Sequence, residues 1–89
     1  MKVTEKITLP LEEVRGLLKY LGIKRARPVR LKDDVGYQIK LKSSGFEKVN
    51  INVYDTKTVV VQGRGAAVTF VRTALALRSS AYAREQDEE

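Results

Sequence analysis

Between Val29 and Gly63 the chain carries four short strand-like runs, three of them alternating apolar and polar residues, each cut off by turn-forming residues. Val29 and Leu31 alternate with Arg30 and Lys32, then Asp33-Asp34 and Gly36 intervene. Tyr37, Ile39 and Leu41 alternate with Gln38, Lys40 and Lys42, and Ser43-Ser44-Gly45 ends that run. Val49, Ile51 and Val53 alternate with Asn50, Asn52 and Tyr54; the short link Asp55-Thr56-Lys57 leads into Thr58-Val59-Val60-Val61-Gln62, closed by Gly63. Period two is the spacing that sends successive side chains to opposite faces of a strand. Links this short join neighbouring strands only in antiparallel fashion. The segment therefore predicts a four-stranded meander with one face buried and one open.

Helical patterns flank the meander. Residues 2–9 form one more alternating run, with Val3, Ile7 and Leu9 against Lys2, Thr4, Lys6 and Thr8, and Glu5 out of step. Pro10 suits the first turn of a helix, Thr8 is placed to cap it, and Glu12 and Glu13 suit its positive end. Val14, Leu17, Leu18 and Leu21 then recur at helical spacing up to Gly22. After Gly63-Arg64-Gly65, read as a turn and not a phosphate loop, Ala67, Phe70, Val71, Ala74, Leu77 and Ala81 share one helical face. The expected fold is α+β in the order β-α-β-β-β-β-α, a curved antiparallel sheet with two helices on one face. Residues 1–84 would form one domain and 85–89 an acidic tail or linker.

The chain has no cysteine and no histidine. Disulfides, zinc fingers, thiol nucleophiles, histidine bases and Ser-His-Asp triads are excluded, which leaves carboxylate chemistry. Asp33-Asp34 and Asp55 fall in turns and Glu12-Glu13 in a first helical turn, so the acids do not converge. The expectation is a binding domain that is not an enzyme and holds no cofactor or metal. No run reaches the roughly 18 apolar residues of a membrane span, and the alternating start is no leader, so a cytoplasmic home without membrane contact is expected.

Charge says what would be bound. Seventeen basic side chains face seven acidic ones before residue 85, and a body this basic attracts polyanions. On the open face the alternation places Lys6, Arg30, Lys32, Gln38, Lys40, Lys42, Asn50, Asn52 and Tyr54. Arg25 and Arg27, in the run Lys24-Arg25-Ala26-Arg27, would clamp a backbone at its rim. Cations suit phosphates, amides and hydroxyls suit sugar and base edges, and a tyrosine suits stacking. The expected partner is nucleic acid, as a duplex or an RNA/DNA hybrid. About five neutralised phosphates would give a log K against log salt slope of roughly −4 to −5. The alternatives are a double-stranded-RNA-binding domain, and a protein-interaction or homodimerisation module using the same face.

The stretch from Ile51 to Gly63, an apolar strand ending in Tyr54, a polar hairpin and an apolar strand ending Val61-Gln62-Gly63, resembles a hallmark of the TATA-box-binding-protein fold. That fold also forms the N-terminal substrate-binding domain of bacterial ribonucleases H of the third type. The resemblance implies a domain that docks its concave sheet on a duplex, belongs to a larger enzyme, and leaves cleavage to another domain. The wedge phenylalanines of TATA-binding proteins have no counterpart on the predicted open face, so kinking of DNA is not expected.

Overall fold

A computed structural model describes residues 7–23, 26–42 and 45–87. Its elements are β1 (Ile7–Thr8), α1 (Leu11–Tyr20), β2 (Pro28–Arg30), β3 (Gly36–Lys40), β4 (Val49–Tyr54), β5 (Thr58–Gly63) and α2 (Ala66–Asp87). The strands form one antiparallel sheet in the order β1-β5-β4-β3-β2. The expected α+β architecture is the observed one. The chain crosses from one sheet edge to the other through α1, and the meander then brings it back.

One face of the sheet carries the core. Ile7, Ile39, Ile51, Val53, Val59 and Val61 are buried with Val14 and Leu18 of α1 and Val68, Val71 and Leu75 of α2. Both helices therefore cover the same face. The alternation in β3, β4 and β5 is the cause, because each strand turns every second side chain toward the helices.

Helix α1 begins after Pro10, which takes the cap position with an extended backbone and no side-chain cap bond. Thr8, expected as the cap, is instead the last residue of β1. The helix closes through two main-chain bonds, Gly22 N–H to Lys19 O and Ile23 N–H to Leu18 O, both at 3.0 Å. This is the paired closure of a Schellman motif, and the buried Ile23 lies against the core that Leu18 anchors.

Helix α2 docks by a stripe rotated from the expected one, which shares Val71 and Ala67 with it. Val68, Val71 and Leu75 are buried, whereas Phe70 is 50% exposed and Leu77 is 68% exposed. The exposed pair shares an outward face with Ala74 and Ala81, so α2 carries two apolar stripes and the sheet takes one. Phe70 keeps one aromatic neighbour, Phe46, with ring centres 6.1 Å apart. Arg78 ties α2 to α1 through Glu13 at 2.6 Å and also bonds Glu85 at 2.9 Å. Hydrogen bonds from these two carboxylates, Glu85 foremost, push the Arg78 guanidinium pKa above its ordinary value. Ser79 closes the outer side of β1, since its hydroxyl accepts from Thr8 N–H and donates to Thr8 O. A covered edge cannot recruit another strand.

The β4–β5 hairpin turns through Asp55-Thr56-Lys57, with Lys57 N–H bonded to Tyr54 O at 2.8 Å. Lys57 holds a φ of 70°, the left-handed conformation that a three-residue hairpin loop uses at its last position. A residue with a Cβ is strained there. Replacing Lys57 by glycine is expected to stabilise the fold by about 1 kcal/mol, read by urea denaturation. A destabilised K57G would mean that the lysine side chain contributes more than its backbone costs.

Candidate nucleic-acid interface

Strand register decides which side chains meet on the open face. Val29 pairs with Gln38, Gln38 with Asn52, and Asn52 with Val60, which makes one row across four strands. Lys40, Asn50 and Gln62 make the next row. Gln38 Nε2 donates to Asn52 Oδ1 at 3.1 Å, and Asn52 is buried between its neighbours. Tyr54 and Thr58 are half-buried at the hairpin end, and Thr8 pairs with Thr58. Among the described residues this face holds no carboxylate.

The cations gather at one corner. Arg27, Val29, Gln38, Lys40 and Lys42 line an open groove of about 550 Å³ beside β2. Lys48 and Arg64 lie at the same end of the neighbouring strands and line a separate groove with Gly65 and Ala66. Glu47 also lines it, with a carboxylate that accepts from Gly45 N–H at 2.8 Å. Asp33, Asp34 and Asp55 occupy the turns at the opposite end of the sheet. Positive charge thus concentrates at the β3 carboxyl end, whereas at the other end Arg30, Lys32 and Lys57 are offset by Asp33, Asp34 and Asp55. A polyanion would favour the β3 carboxyl end.

The expected platform residues divide accordingly. Gln38, Lys40, Asn50, Asn52 and Tyr54 share the open face, and Arg27 and Lys42 join them through the groove. Lys6 and Arg25 lie outside the described residues. Arg30 does not belong to the platform. It pairs with Tyr37 in the register, so it projects from the helix-bearing face, and its guanidinium carbon stands 4.7 Å from the Tyr37 ring centre. Its Nε donates to Asp34, and two further N–H groups reach the Asp55 carboxylate at 3.2 Å each. Those hydrogen bonds, to Asp34 first and Asp55 second, raise its pKa above the ordinary arginine value. Two carboxylates already occupy the group that was expected to hold a phosphate. Lys32 leaves the platform too, because β2 ends at Arg30 and Lys32 stands in the following turn.

Val29 is the residue that sequence reasoning missed. Its alternation with Arg30 and Lys32 puts it on the side away from the cations, but it is 64% exposed and sits in the cationic groove. Pro28 was the available signal, because proline within a sheet is confined to edges, starts and bulges. An edge strand gains little from burying either face, so its alternation does not say which face is inside.

No curated protein and no solved structure matches the chain. A family model does match, over residues 4–76: RnlA toxin, described as RNase LS, bacterial toxin. This corrects the expectation that the protein is not an enzyme, since the family is one of ribonucleases. Neither the lack of histidine nor the scatter of carboxylates along the chain excludes membership of such a family. The match also replaces the open-ended choice of nucleic acid by a function related to RNA. With more than half of its length matched, the chain belongs to the RnlA toxin family.

Proposed function

We propose that the chain serves RNA cleavage by gripping the RNA on its open sheet face. Phosphates are held at the cationic corner by Arg27, Lys40 and Lys42, and ribose hydroxyls are met by Asn50, Gln62 and Tyr54. The observation that carries the reading is the one-signed charge of that corner on a face with no carboxylate among the described residues. Family membership supplies RNA as the polyanion. The likeness to the TATA-box-binding-protein fold supports the same use of the sheet, as a docking surface. The expected duplex or hybrid is then one of several forms the face is asked to discriminate.

Two alternatives have less behind them. A double-stranded-RNA-binding domain has three strands, and this sheet has five. A protein-docking sheet face needs a continuous apolar patch, but the Gln38–Asn52 amide pair separates Val29 from Val60.

With Arg30 engaged and Lys32 displaced, the cations of the groove are Arg27, Lys40 and Lys42. The slope of log K against log salt for RNA should therefore be roughly −2 to −3. Replacing Lys40 and Lys42 together by alanine should weaken RNA binding roughly tenfold or more at low salt and flatten the slope by about 1.5. Fluorescence anisotropy with labelled single-stranded RNA, duplex RNA and hybrid measures both. Cleavage of the same RNAs should slow in parallel. Unchanged affinity in a double variant whose circular dichroism shows it folded would remove the sheet face from the function.

A further inference from the structure

The groove beside β2 contains more than phosphate binding requires. Three of its lining residues are cations, but between them stand Val29 and Gln38. Val29 leaves most of its surface in water on an edge strand, where a polar residue would cost nothing in packing. Gln38 is half-buried, and its bond to Asn52 Oδ1 fixes the amide. That bond uses one Nε2 hydrogen. Among the described residues no other hydrogen bond takes Oε1 or the second hydrogen, one acceptor and one donor side by side. Such a pair complements the edge of a nucleobase, which offers a donor beside an acceptor. A flat aliphatic surface next to it accepts the base by its face, and a groove of about 550 Å³ has room for one nucleotide.

We infer that this groove is a subsite for a single unpaired RNA nucleotide. Its base lies on Val29 with an edge to Gln38, and its phosphate sits among Arg27, Lys40 and Lys42. A paired base has that edge engaged and its faces stacked, so it cannot enter without being extruded. The RNA taken by the face is therefore a single strand or a loop, and a continuous duplex is disfavoured. This inference rests on the RNA reading above and adds the form of RNA to it.

The test titrates the ¹⁵N-labelled chain with adenosine monophosphate, ribose 5-phosphate and inorganic phosphate, followed by NMR. Adenosine monophosphate should shift the Val29 main-chain amide and the Gln38 side-chain amide. It should also bind roughly threefold or more tightly than ribose 5-phosphate. Val29→Ser, at an exposed position that tolerates the change, should bring the two ligands to equal affinity and leave ribose 5-phosphate binding as it was. Equal affinity of both ligands for the unaltered chain, with no shift at Val29 or Gln38, overturns the subsite. A second arm compares an unstructured RNA with a duplex of the same length. Tighter binding of the single strand, lost in V29S, supports the subsite. Equal binding of both forms that still depends on Lys40 and Lys42 overturns it while the RNA reading stands. Binding to neither form overturns both.

Discussion

Replacing Leu75 by alanine is expected to lower the unfolding free energy by about 2–5 kcal/mol, whereas the same change at Leu77 should alter it by less than about 0.5 kcal/mol. The two leucines stand two positions apart in α2, so helix propensity and side-chain chemistry are matched. Their surroundings are not. Leu75 has no exposed surface and meets the sheet among Val68, Val71 and the β-strand core, whereas Leu77 is 68% exposed. Removing Leu75 leaves a cavity that its neighbours cannot close, in addition to the lost transfer energy. Removing Leu77 takes away carbon atoms that already face water. A domain of this size has about 5–15 kcal/mol in total, so L75A should move the urea midpoint far enough to read without extrapolation. A larger loss in L77A than in L75A would mean that α2 docks by its other stripe.

The readable parts of this fold were those where one periodicity had no rival. Strands β3 and β4 place an apolar residue at every second position, and slipping either by one residue would bury Lys40 or Asn50, whereas the run Val59-Val60-Val61 leaves the face of β5 to its pairing with β4. Register is fixed where the penalty for a slip is a buried amine or amide. Helix α1 has one stripe and one closing glycine, and nothing competes with it. Helix α2 does have a competitor, because Val68 and Leu75 satisfy helical spacing with Val71 as well as Phe70, Ala74 and Leu77 do. Size favours the second set and compactness the first, and only the path of the chain out of β5 chooses between them.

The candidate site shows the same division. Gln38, Lys40, Asn50 and Asn52 were legible because they lie on strands paired on both sides, and Lys42 because it follows β3 in the same alternation. Arg30 was not, since its side chain is claimed by Asp34 and by Asp55, the latter 25 positions away in another turn. Nothing local in the run Val29-Arg30-Leu31-Lys32 reports that partner. Catalytic membership was illegible for a different reason. A chain without histidine or cysteine carries no motif by which a ribonuclease family announces itself, and only the match over residues 4–76 supplies it.

Gly63→Ala is the substitution that should couple the core to the RNA-binding corner. Gly63 ends β5 at a φ of 139°, and a Cβ there would come within 2.0 Å of the Lys48 carbonyl oxygen and 2.8 Å of a Val68 methyl. The variant meets two penalties together, a backbone conformation that L residues rarely adopt and an overlap with main chain that cannot rotate away. A loss of about 2–5 kcal/mol follows. Gly65→Ala is the control, because Gly65 also has a positive φ, 92°, but nothing lies within 4 Å of its Cβ position. It should lose only about 1–2 kcal/mol, the backbone share alone. The clash in G63A can be relieved only by separating β5 from the residue before β4, where Gly63 pairs with Val49. That movement would shift Asn50 and Gln62, which share a row with Lys40, so RNA affinity should fall in the fraction that remains folded. Urea denaturation of the two variants, with RNA binding measured well below each midpoint, separates the contributions. If G63A were no less stable than G65A, the strand ends would be looser than this geometry requires, and the cationic corner could not rest on a fixed register.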